Sequence, residues 1–479
     1  MLATRTDTGR FRPRALPLWR LVRVANGSSR VLRGAGFTSS KHRESAADGT
    51  CRVLQRSELI GGGKRTLAVS VKSVSKGHSF REDLAVMAVR GVNWMSRATG
   101  RGAGTVAGGR VGLWIDPDLL AKLARGRTIV LVSGTNGKTT TTALCAAGWG
   151  GDVATNVTGS NMPPGHVAAL VGSTSERVVL EADEAWLANV VRATSPRVVV
   201  LLNLSRDQLD RASEVRQMAE RWHQCLAAPE NAQLVVVANA NDPLVAYAAT
   251  ASSNVRWCDV ATSWMADARS CPRCTLPLEH SDNDWHCSCG FAKPSTLAAT
   301  LDGVLHVGSE QAELDLSIPG DFNRGNAALA ATALAELGVG LGGAVARMNT
   351  LSGVAGRFTL RRWGRHTLRL LLAKNPAGFD ALLSTVDQGD SDVWVAINAQ
   401  IADGRDPSWL YDVAFERLRG HRVWCLGERR LDLATRLDYA DVDYEIVDDV
   451  TSLPVSAAPV EMLANYTAFS EWMARTTAC

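Results

Sequence analysis

The stretch "RTIVLVSGTNGKTTTT" (Arg127–Thr142) constrains the fold more than any other part of the sequence. A run of β-branched and apolar residues leads directly into glycines, a lysine and threonines, and an Ala-rich stretch with helical character follows. Glycines let a backbone wrap so that its N–H groups point at a phosphate, and the following helix N-terminus adds its dipole. The sequence therefore predicts a strand, a phosphate-binding loop and a helix that together bind ATP.

The expected nucleotide ligands lie in this loop and in the first turn of the helix. The loop is the short form G-x-x-G-K-T, because Val132 stands where the longer form G-x4-G-K-[ST] has its first glycine. Lys138 is expected to reach the β- and γ-phosphates, and the Thr139 hydroxyl can ligate Mg²⁺. The residues assigned to ATP binding are Gly134, Thr135, Asn136, Gly137, Lys138, Thr139 and Thr140.

Three carboxylates end the next apolar run, "RVVLEADE" (Arg177–Glu184). Carboxylates at the end of a strand beside a phosphate-binding loop hold Mg²⁺ or orient a nucleophile, so we expect at least one of the three to be a metal ligand. Period-two alternation predicts Glu181 and Asp183 on one face of the strand and Glu184 on the other. The alternative is a group of solvated acids at a strand end.

The order of apolar runs and helical stretches along the rest of the chain predicts two α/β domains. Further continuous apolar runs, "RVVVLLNLS" and "QLVVVANAND", alternate with Ala- and Leu-rich helical stretches, which is typical of a parallel sheet covered on both faces. We assign residues 82–355 to this central ATP-binding domain. After "LSGVAGRF" a second set of four predicted strands begins, and we assign residues 356–479 to a smaller C-terminal α/β domain.

Four cysteines inside the central domain follow the spacing C-x2-C-x12-C-x-C. Two thiolate pairs on two tight turns, joined by a short hairpin, suit a tetrahedral Zn²⁺ whose four positions are all occupied. The sequence therefore predicts a structural zinc ribbon inserted at about residues 268–294; redox-active pairs in a metal-free protein are the alternative. The expected zinc ligands are Cys271, Cys274, Cys287 and Cys289.

The basic charge of the chain is concentrated at one end. Residues 1–80 carry a net charge of +12, whereas the rest carries −8. We expect residues 1–81 to be a disordered leader, with three readings open: a nucleic-acid arm, a mitochondrial transit peptide, or residues translated ahead of the true start. No run of eighteen apolar residues occurs, so no membrane span is expected.

Several motifs, in order and spacing, resemble the Mur ligases, the ATP-dependent amide-forming enzymes of cell-wall synthesis. They are "GTNGKTTTT", "LEADEAWL", "LNLSRDQLDR", "NANDPL", "GDFNRGNAALA" and "SGVAGRF". The cysteine ribbon, "AKNPAGFDALL" (Ala373–Leu383) and "ADGRDPSWLYD" (Ala402–Asp412) resemble more closely the MurT branch of that family. The resemblance covers about residues 82–470. It implies a Mur ligase-type central domain with the ribbon inserted, followed by a Rossmann-like C-terminal domain.

The resemblance also assigns residues of this chain to a site. It implies that Thr139 and Glu181 hold Mg²⁺, that Asn323 and Asn326 lie by the adenine, and that Arg357 contacts the nucleotide from the domain junction. Typical Mur ligases have a histidine, a second magnesium ligand, where this chain has Gln208, so a second magnesium ion is in question. Several Mur ligases also use a carbamylated lysine in this domain, but this sequence has no lysine between Lys138 and Lys293.

For the MurT branch, the resemblance implies ATP-dependent amidation of the D-glutamate α-carboxylate in the stem peptide of lipid II, with Glu181 among the catalytic residues. It further implies a GatD-like glutaminase subunit that supplies ammonia, and a cytoplasmic protein peripheral to the inner face of the bacterial plasma membrane. An aspartate of the C-terminal domain is expected to complete the catalytic triad of the partner. The candidates in order are Asp406, Asp412 and Asp403.

Alternatives to this interpretation remain at the level of sequence. The "DGRD" aspartates also fit a simple turn whose Asp caps the following helix. A zinc-ribbon nucleic-acid ATPase would fit the phosphate-binding loop and the basic leader, although the −8 body argues against a nucleic-acid partner. Two further alternatives remain. One is a folylpolyglutamate synthase-like ligase, which uses an amino acid in place of ammonia, and the other is a non-catalytic nucleotide-binding scaffold.

Overall fold

A computed structural model describes most of the chain after the basic leader. The described residues are 80–99, 105–156, 160–206, 212–260, 264, 266–281, 284–351, 353, 358–386, 392–453, 455–456 and 459–479. The predicted leader lies outside these residues except for its last two positions, Phe80 and Arg81, which begin the first helix.

Helices and strands alternate along most of the described chain. The helices are α1 Phe80–Ala98, α2 Thr105–Ile115, α3 Leu119–Ala124, α4 Lys138–Trp149, α5 Pro163–Val171, α6 Leu187–Thr194, α7 Ala212–Ala227, α8 Pro243–Ala249, α9 Asp321–Ala335, α10 Leu341–Asn349, α11 Pro376–Val386, α12 Arg430–Ala440 and α13 Tyr466–Arg475. The strands are β1 Thr128–Ser133, β2 Ala154–Thr155, β3 Arg177–Ala182, β4 Val198–Leu201, β5 Val235–Asn239, β6 Val255–Cys258, β7 Glu279–Ser281, β8 Asp284–His286, β9 Ala298–Leu301, β10 Val304–Val307, β11 Glu310–Glu313, β12 Phe358–Trp363, β13 His366–Leu372, β14 Val393–Ala396, β15 Val423–Leu426, β16 Tyr444–Ile446, β17 Val460–Ala464 and β18 Thr477–Ala478.

The central part of the chain is built on a nine-stranded sheet in the order β11-β10-β9-β6-β5-β4-β1-β3-β2. The strands from β2 to β9 in this order run parallel, whereas β9, β10 and β11 pair antiparallel. Ile129 and Leu131 of β1 belong to the apolar cluster on one face of the sheet, and Val130 and Val132 to the cluster on the other. The predicted parallel sheet with both faces covered is therefore confirmed.

The C-terminal part forms a second sheet in the order β16-β15-β14-β17-β13-β12-β18. The four predicted strands are β13, β14, β15 and β16, and the sequence missed β12, β17 and β18. β17 is a central strand, but its apolar run is interrupted by Glu461, which is buried and paired with Arg369 of the neighbouring β13. A charged residue at the second position of a five-residue strand shortens the continuous apolar pattern on which strand prediction depends.

Two N-terminal helices, which the sequence did not predict, pack on each other and on α5 through glycines of α2. A Cβ at Gly108 would collide with Asn93 of α1, and one at Gly112 would collide with Val89. A Cβ at Gly109 would lie 1.8 Å from the backbone oxygen of Pro164, at the start of α5. Gly109 therefore lets α2 approach α5 backbone to backbone. Neither of these helices, nor any other among the described residues, is long and apolar enough to cross a bilayer.

The tight packing of α2 predicts a large difference between two helical glycines. Gly109→Ala should lower the free energy of unfolding by about 1–3 kcal/mol, because the new methyl group overpacks the α2–α5 contact. Gly91→Ala on α1, where a Cβ meets nothing within 4 Å, should be neutral or stabilising by about 0.5–1 kcal/mol. Thermal and denaturant unfolding of the two variants tests this; equal stabilities would contradict the packing described.

Candidate active site at the carboxyl edge of the central sheet

The phosphate-binding loop lies between the end of β1 and the start of α4, as the sequence predicts. Gly134 has φ 148° and Gly137 has φ 85°, backbone conformations that favour glycine. A Cβ at Gly134 would lie 2.7 Å from the Cβ of Leu202 and 3.0 Å from the amide nitrogen of Asn203. This glycine thus allows the loop to pass directly against the segment that follows β4.

The segment after β4 holds the loop in place through hydrogen bonds from both its backbone and its side chains. The Thr135 amide donates to the carbonyl oxygen of Asn203 at 2.9 Å. The Asn136 amide donates to Asn203 Oδ1 at 2.9 Å, and Asn203 Nδ2 donates back to the Asn136 carbonyl at 3.0 Å. Ser205 N–H donates to Thr135 Oγ1 at 3.0 Å. The loop conformation is therefore fixed by its neighbours, and the wrapped backbone is ready for an anion.

Lys138 and Thr139 meet two different carboxylates of the segment that ends β3. Lys138 is buried, and its Nζ lies 3.1 Å from Glu184 Oε2 while also donating to the carbonyl oxygens of Gly134 and Thr135. Thr139 Oγ1 donates to Glu181 Oε2 at 2.7 Å. β3 ends at Ala182, so the predicted alternation does not continue to Glu184. Glu184 was not among the assigned site residues.

Two buried polar side chains hold the backbone of Glu181 in place. Asn156 Oδ1 accepts a hydrogen bond from the Glu181 amide at 2.9 Å, and its Nδ2 donates to the Glu181 carbonyl, also at 2.9 Å. His166 of α5 lies against the same carbonyl, with its Nε2 2.8 Å away. Burial lowers the pKa of His166, so the ring is neutral and Nε2 carries the donated proton. These contacts fix the backbone that carries the Glu181 carboxylate.

A cavity of about 710 Å³ opens beside the loop, between the central and C-terminal parts of the chain. Asn136, Gly137 and Thr140 line it from the phosphate-binding loop and α4. Asn323 and Asn326 line it from the first turns of α9, with Asn326 Nδ2 donating to Asn323 Oδ1 at 3.2 Å. The structure thus brings the two predicted adenine-side asparagines to the predicted phosphate loop. Arg357 and Gln208 lie outside the described residues.

The C-terminal part supplies the opposite wall of the cavity. Lys374, at the end of β13, and Gly378 of α11 line it, and a Cβ at Gly378 would lie 3.6 Å from Asn136 Oδ1. Phe322 of α9 packs against the apolar core of the second sheet. A further contact joins Arg206, which is paired with Asp267, to Asp412 at 3.8 Å. A ligand in the cavity would therefore touch both parts of the chain.

The three candidate aspartates of the C-terminal segment have different surroundings. Asp403 accepts hydrogen bonds from both the amide and the hydroxyl of Thr467, at the start of α13. Asp412 faces Arg206 of the central part. Asp406 is exposed and caps the 3-10 helix Pro407–Asp412, and the hydrogen bond from the Ser408 amide lowers its pKa. Asp406 is thus an ionised carboxylate held in one orientation at the surface.

The four predicted metal-ligating cysteines come together in the structure. Their sulfur atoms all lie within 4.8 Å of one another, with Cys274 and Cys287 3.5 Å apart and Cys271 and Cys289 3.7 Å apart. Four thiolates bound tetrahedrally to Zn²⁺ at about 2.3 Å would have sulfurs about 3.8 Å apart, so the cluster could hold a metal ion. Trp285 of the ribbon is fully buried, and its Nε1 donates to the Ala240 carbonyl at 3.0 Å.

The ribbon is thereby attached beside the segment that holds the phosphate-binding loop, and its first residue, Ala268, lines the cavity. Ala240 lies between β5 and Asp242, which caps α8 and also accepts a hydrogen bond from the Leu204 amide at 2.8 Å. Leu204 belongs to the segment that holds the phosphate-binding loop. Burial raises the pKa of Asp242 to about 6. The position of the ribbon indicates a structural role, in agreement with a metal site that is closed by four protein ligands.

Three further thiols are buried in the protein core. Burial raises the pKa of Cys145, Cys258 and Cys425 to about 12. Thiols of this kind stay protonated at neutral pH, and it is the thiolate that acts as a nucleophile. These cysteines therefore do not provide the nucleophile that hydrolysis of glutamine by a Cys-His pair would require.

Comparison with known proteins identifies the family. Residues 132–335 match the Mur ligase middle domain, and residues 372–469 match the MurT ligase C-terminal domain. The chain is 32% identical over 381 residues to the lipid II isoglutaminyl synthase (glutamine-hydrolyzing) subunit MurT of Staphylococcus aureus (strain COL), covering 74% of this chain and 86% of that protein. The chain belongs to the MurT family of Mur ligases. A MurT subunit from Streptococcus pneumoniae (strain ATCC BAA-255 / R6) is 27% identical, with coverages of 82% and 96%.

Solved structures give the same fold at lower sequence identity. A pseudomurein peptide ligase type C from Methanothermus fervidus superimposes with a TM-score of 0.58 and 20% identity, covering 75% of this chain and 80% of that one. MurF ligase from Thermotoga maritima in complex with ADP superimposes with a TM-score of 0.52 and 16% identity, with coverages of 75% and 82%. Membership of the Mur ligases makes this chain an ATP-dependent ligase, and the family uses ATP and Mg²⁺.

The geometry of the cysteine cluster predicts that substituting one thiolate is enough to lose the metal. Cys274→Ser should reduce the metal bound per chain and lower the melting temperature, because the ribbon loses a ligand and with it the packing around Trp285. Cys225→Ser, at a half-buried free cysteine of α7, is the matched control and should retain the metal. Elemental analysis of the purified full-length variants measures this, and equal metal content in both would argue against a four-thiolate site.

Proposed function

We propose that this chain is the synthase subunit that converts the D-glutamate α-carboxylate of the lipid II stem peptide into an amide, giving D-isoglutamine. The observation that carries the proposal is that Lys138 and Thr139, which is bonded to Glu181, lie between Gly137 and Thr140. Those two residues line a cavity whose other wall belongs to the MurT-type C-terminal domain. The names of the two MurT relatives, both lipid II isoglutaminyl synthase subunits, supply the substrate.

The residues present fit a magnesium nucleotide. Gly134 and Gly137 adopt the positive φ angles that a phosphate-wrapping backbone needs, and the N-terminus of α4 follows Gly137 directly. Thr139 and Glu181 already share a hydrogen bond of 2.7 Å, and hydroxyl and carboxylate oxygens are the ligands that Mg²⁺ prefers. Bound there, the ion would neutralise charge on the phosphates.

The proposed reaction proceeds in two steps. A carboxylate oxygen of the substrate attacks the γ-phosphorus of ATP, the bond to the β–γ bridging oxygen breaks, and ADP and an acyl phosphate form. Ammonia then attacks the acyl carbon, phosphate leaves with the former carboxylate oxygen, and the nitrogen loses a proton. Lys138 and the loop amides are directed at the charge that develops on the transferred phosphoryl group. In the structure the Lys138 ammonium is balanced by Glu184, a contact that incoming phosphate oxygens would replace.

Ammonia is proposed to come from a separate GatD-like glutaminase. Ammonia is largely protonated near neutral pH, so a source close to the acyl phosphate raises its effective concentration. Asp406 is exposed and oriented by its own cap, which suits a carboxylate that aligns a histidine across a subunit boundary. Asp403 is already bonded to Thr467 through both oxygens, so the structure supports Asp406 over Asp403.

We also propose zinc as the metal of the ribbon. A tetrahedral set of four thiolates is typical of Zn²⁺ or of iron–sulfur centres. The hairpin β7–β8 and the short sulfur-to-sulfur distances between the two cysteine pairs match a ribbon that binds a single ion. Zinc here would be structural.

The phosphate-binding lysine provides the test of the ligase activity. With ammonium supplied directly, the purified chain should convert lipid II to a product in which a hydroxyl is replaced by an amino group, as read by mass spectrometry. Lys138→Ala should reduce the rate by at least about 100-fold, because a positive charge at the transferred phosphoryl group is lost. Arg365→Ala, at an exposed cation in the turn between β12 and β13, is the control and should behave as wild type. Equal rates in both variants would contradict the assignment.

The proposed role of Asp406 predicts that its substitution affects amidation from glutamine but not amidation from ammonium. In a complex with a GatD-like subunit, Asp406→Asn should lower glutamine-dependent amidation by up to roughly 10⁴-fold, since the aligning carboxylate is lost. Ammonium-dependent amidation should persist. Asp449→Asn is a matched control, because Asp449 is also exposed and caps a 3-10 helix through its carboxylate. If both sources fall together, or if Asp449→Asn has the same effect, Asp406 acts only as a cap.

A further inference from the structure

The outer face of α1 carries apolar side chains that nothing in the described part of the chain covers. Ala85 and Val89 are fully buried against the protein, whereas a second set on the same helix is exposed: Phe80, Leu84, Met87, Trp94 and Met95. At 3.6 residues per turn this exposed set falls within an arc of about 100°, opposite the buried one. The helix is thus apolar on two opposite faces, and only one of them is covered by described residues.

α2 extends this exposed surface with a second tryptophan. Val106 and Trp114 are both exposed and lie eight residues apart, on the same face of the helix. Arg81 Nε donates to the Ile115 carbonyl at 2.5 Å, which brings the start of α1 beside the end of α2. Trp114 is 83% exposed and Trp94 is 69% exposed. We call these exposed apolar residues of α1 and α2, seven in number, the apolar face.

Cations border the apolar face. Arg81, Arg90 and Arg97 of α1 are exposed, and so is Arg110 of α2. The two helices contain two acidic residues, Glu82 and Asp83. Only Asp83 is exposed, because Glu82 is buried. The sequence immediately before α1 is strongly basic, with a net charge of +12 over residues 1–80. The surroundings of the face therefore favour an anionic partner.

We propose that the apolar face is a peripheral membrane-binding surface that lies in the headgroup region of an anionic bilayer. A helix with an apolar face, bordering arginines and tryptophans is suited to the interface plane, where aromatic rings are amphipathic and arginines meet lipid phosphates. No described helix crosses a bilayer, so the contact is interfacial. The proposal rests on the proposed function in one respect, because a lipid-linked substrate requires the enzyme to reach a membrane surface.

The position of the face relative to the active site fits this role. α1 packs on α2, and α2 packs on the start of α5 through Gly109. α5 carries His166, whose ring contacts the carbonyl of Glu181. Three consecutive packing contacts thus connect the membrane-facing helix to the carboxylate that is proposed to hold magnesium. An enzyme bound by this face would have its reactive edge at a fixed distance from the bilayer.

The test is flotation of the full-length chain with vesicles. Wild type should float with vesicles of equal phosphatidylglycerol and phosphatidylcholine, and less with phosphatidylcholine alone. Met87→Glu/Trp94→Glu should reduce the bound fraction at limiting lipid by about tenfold, because two apolar contacts are replaced by acids that the anionic surface repels. Leu431→Glu/Tyr439→Glu on α12 is the matched control, since these residues are also exposed on one helix, and should bind as wild type.

Each alternative explanation predicts a different experimental result, and each of these results would overturn the proposal. If the basic leader alone binds lipid, Met87→Glu/Trp94→Glu will float as well as wild type. If the leader or a second copy covers the face, wild type will not float, and sedimentation will show whether the double substitution dissociates a dimer. Circular dichroism and metal content establish that the variants are folded.

The two proposals fail separately. Amidation of detergent-solubilised lipid II, with ammonium present, reports the reaction without a bilayer. Vesicle binding without amidation in detergent would leave the membrane surface standing and contradict the proposed function. Amidation in detergent by a wild-type chain that never binds vesicles would support the proposed function and contradict the membrane-binding surface. If both proposals hold, Met87→Glu/Trp94→Glu will amidate normally in detergent and about tenfold more slowly with lipid II in vesicles at limiting lipid.

Discussion

The close approach of Gly134 to the segment that follows β4 determines where the residues of the proposed active site come together. With a Cβ only 2.7 Å from Leu202, the loop would have to move away, and the hydrogen bonds of Thr135 and Asn136 to Asn203 would break. Because β1, β3 and β4 are parallel neighbours, their carboxyl ends meet at this edge. The same packing that wraps the loop thus brings Lys138 to Glu184 and Thr139 to Glu181.

From this edge the active site extends in two directions. Toward the C-terminal part it opens into the cavity bounded by α9 and by the end of β13, so that nucleotide and acceptor would meet at a domain junction, where ligand sites are common. Toward the N-terminal helices it continues through Asn156 and His166 to α5, then to α2 and α1. The four-cysteine ribbon is attached next to β5 through the hydrogen bond from Trp285 to Ala240.

The sequence predicts the parts of this arrangement that depend on continuous patterns. β1, β3, β4 and β5 each contain three or more consecutive buried apolar residues, and in β3 this run precedes Glu181. The spacings of the glycines and cysteines are typical of a phosphate-binding loop and a metal-binding ribbon. Glu184 is different, because its role depends on the turn after Ala182 and not on strand alternation. β17 was missed because Glu461 interrupts it. α1 and α2 were missed because one is apolar on two faces and the other is rich in glycine, which weakens helical periodicity and propensity.

The measurement that tests the central claim most directly follows the oxygen atoms. Lipid II labelled with ¹⁸O in the D-glutamate α-carboxylate would be incubated with the chain, ATP and ammonium, and the released phosphate analysed by mass spectrometry. If Lys138, Thr139 and Glu181 serve a carboxylate-activating ligase, one ¹⁸O atom appears in the phosphate for each amide formed. Unlabelled phosphate, released while the substrate keeps both labelled oxygens, would show that ATP hydrolysis is not coupled to the carboxylate and would contradict the account.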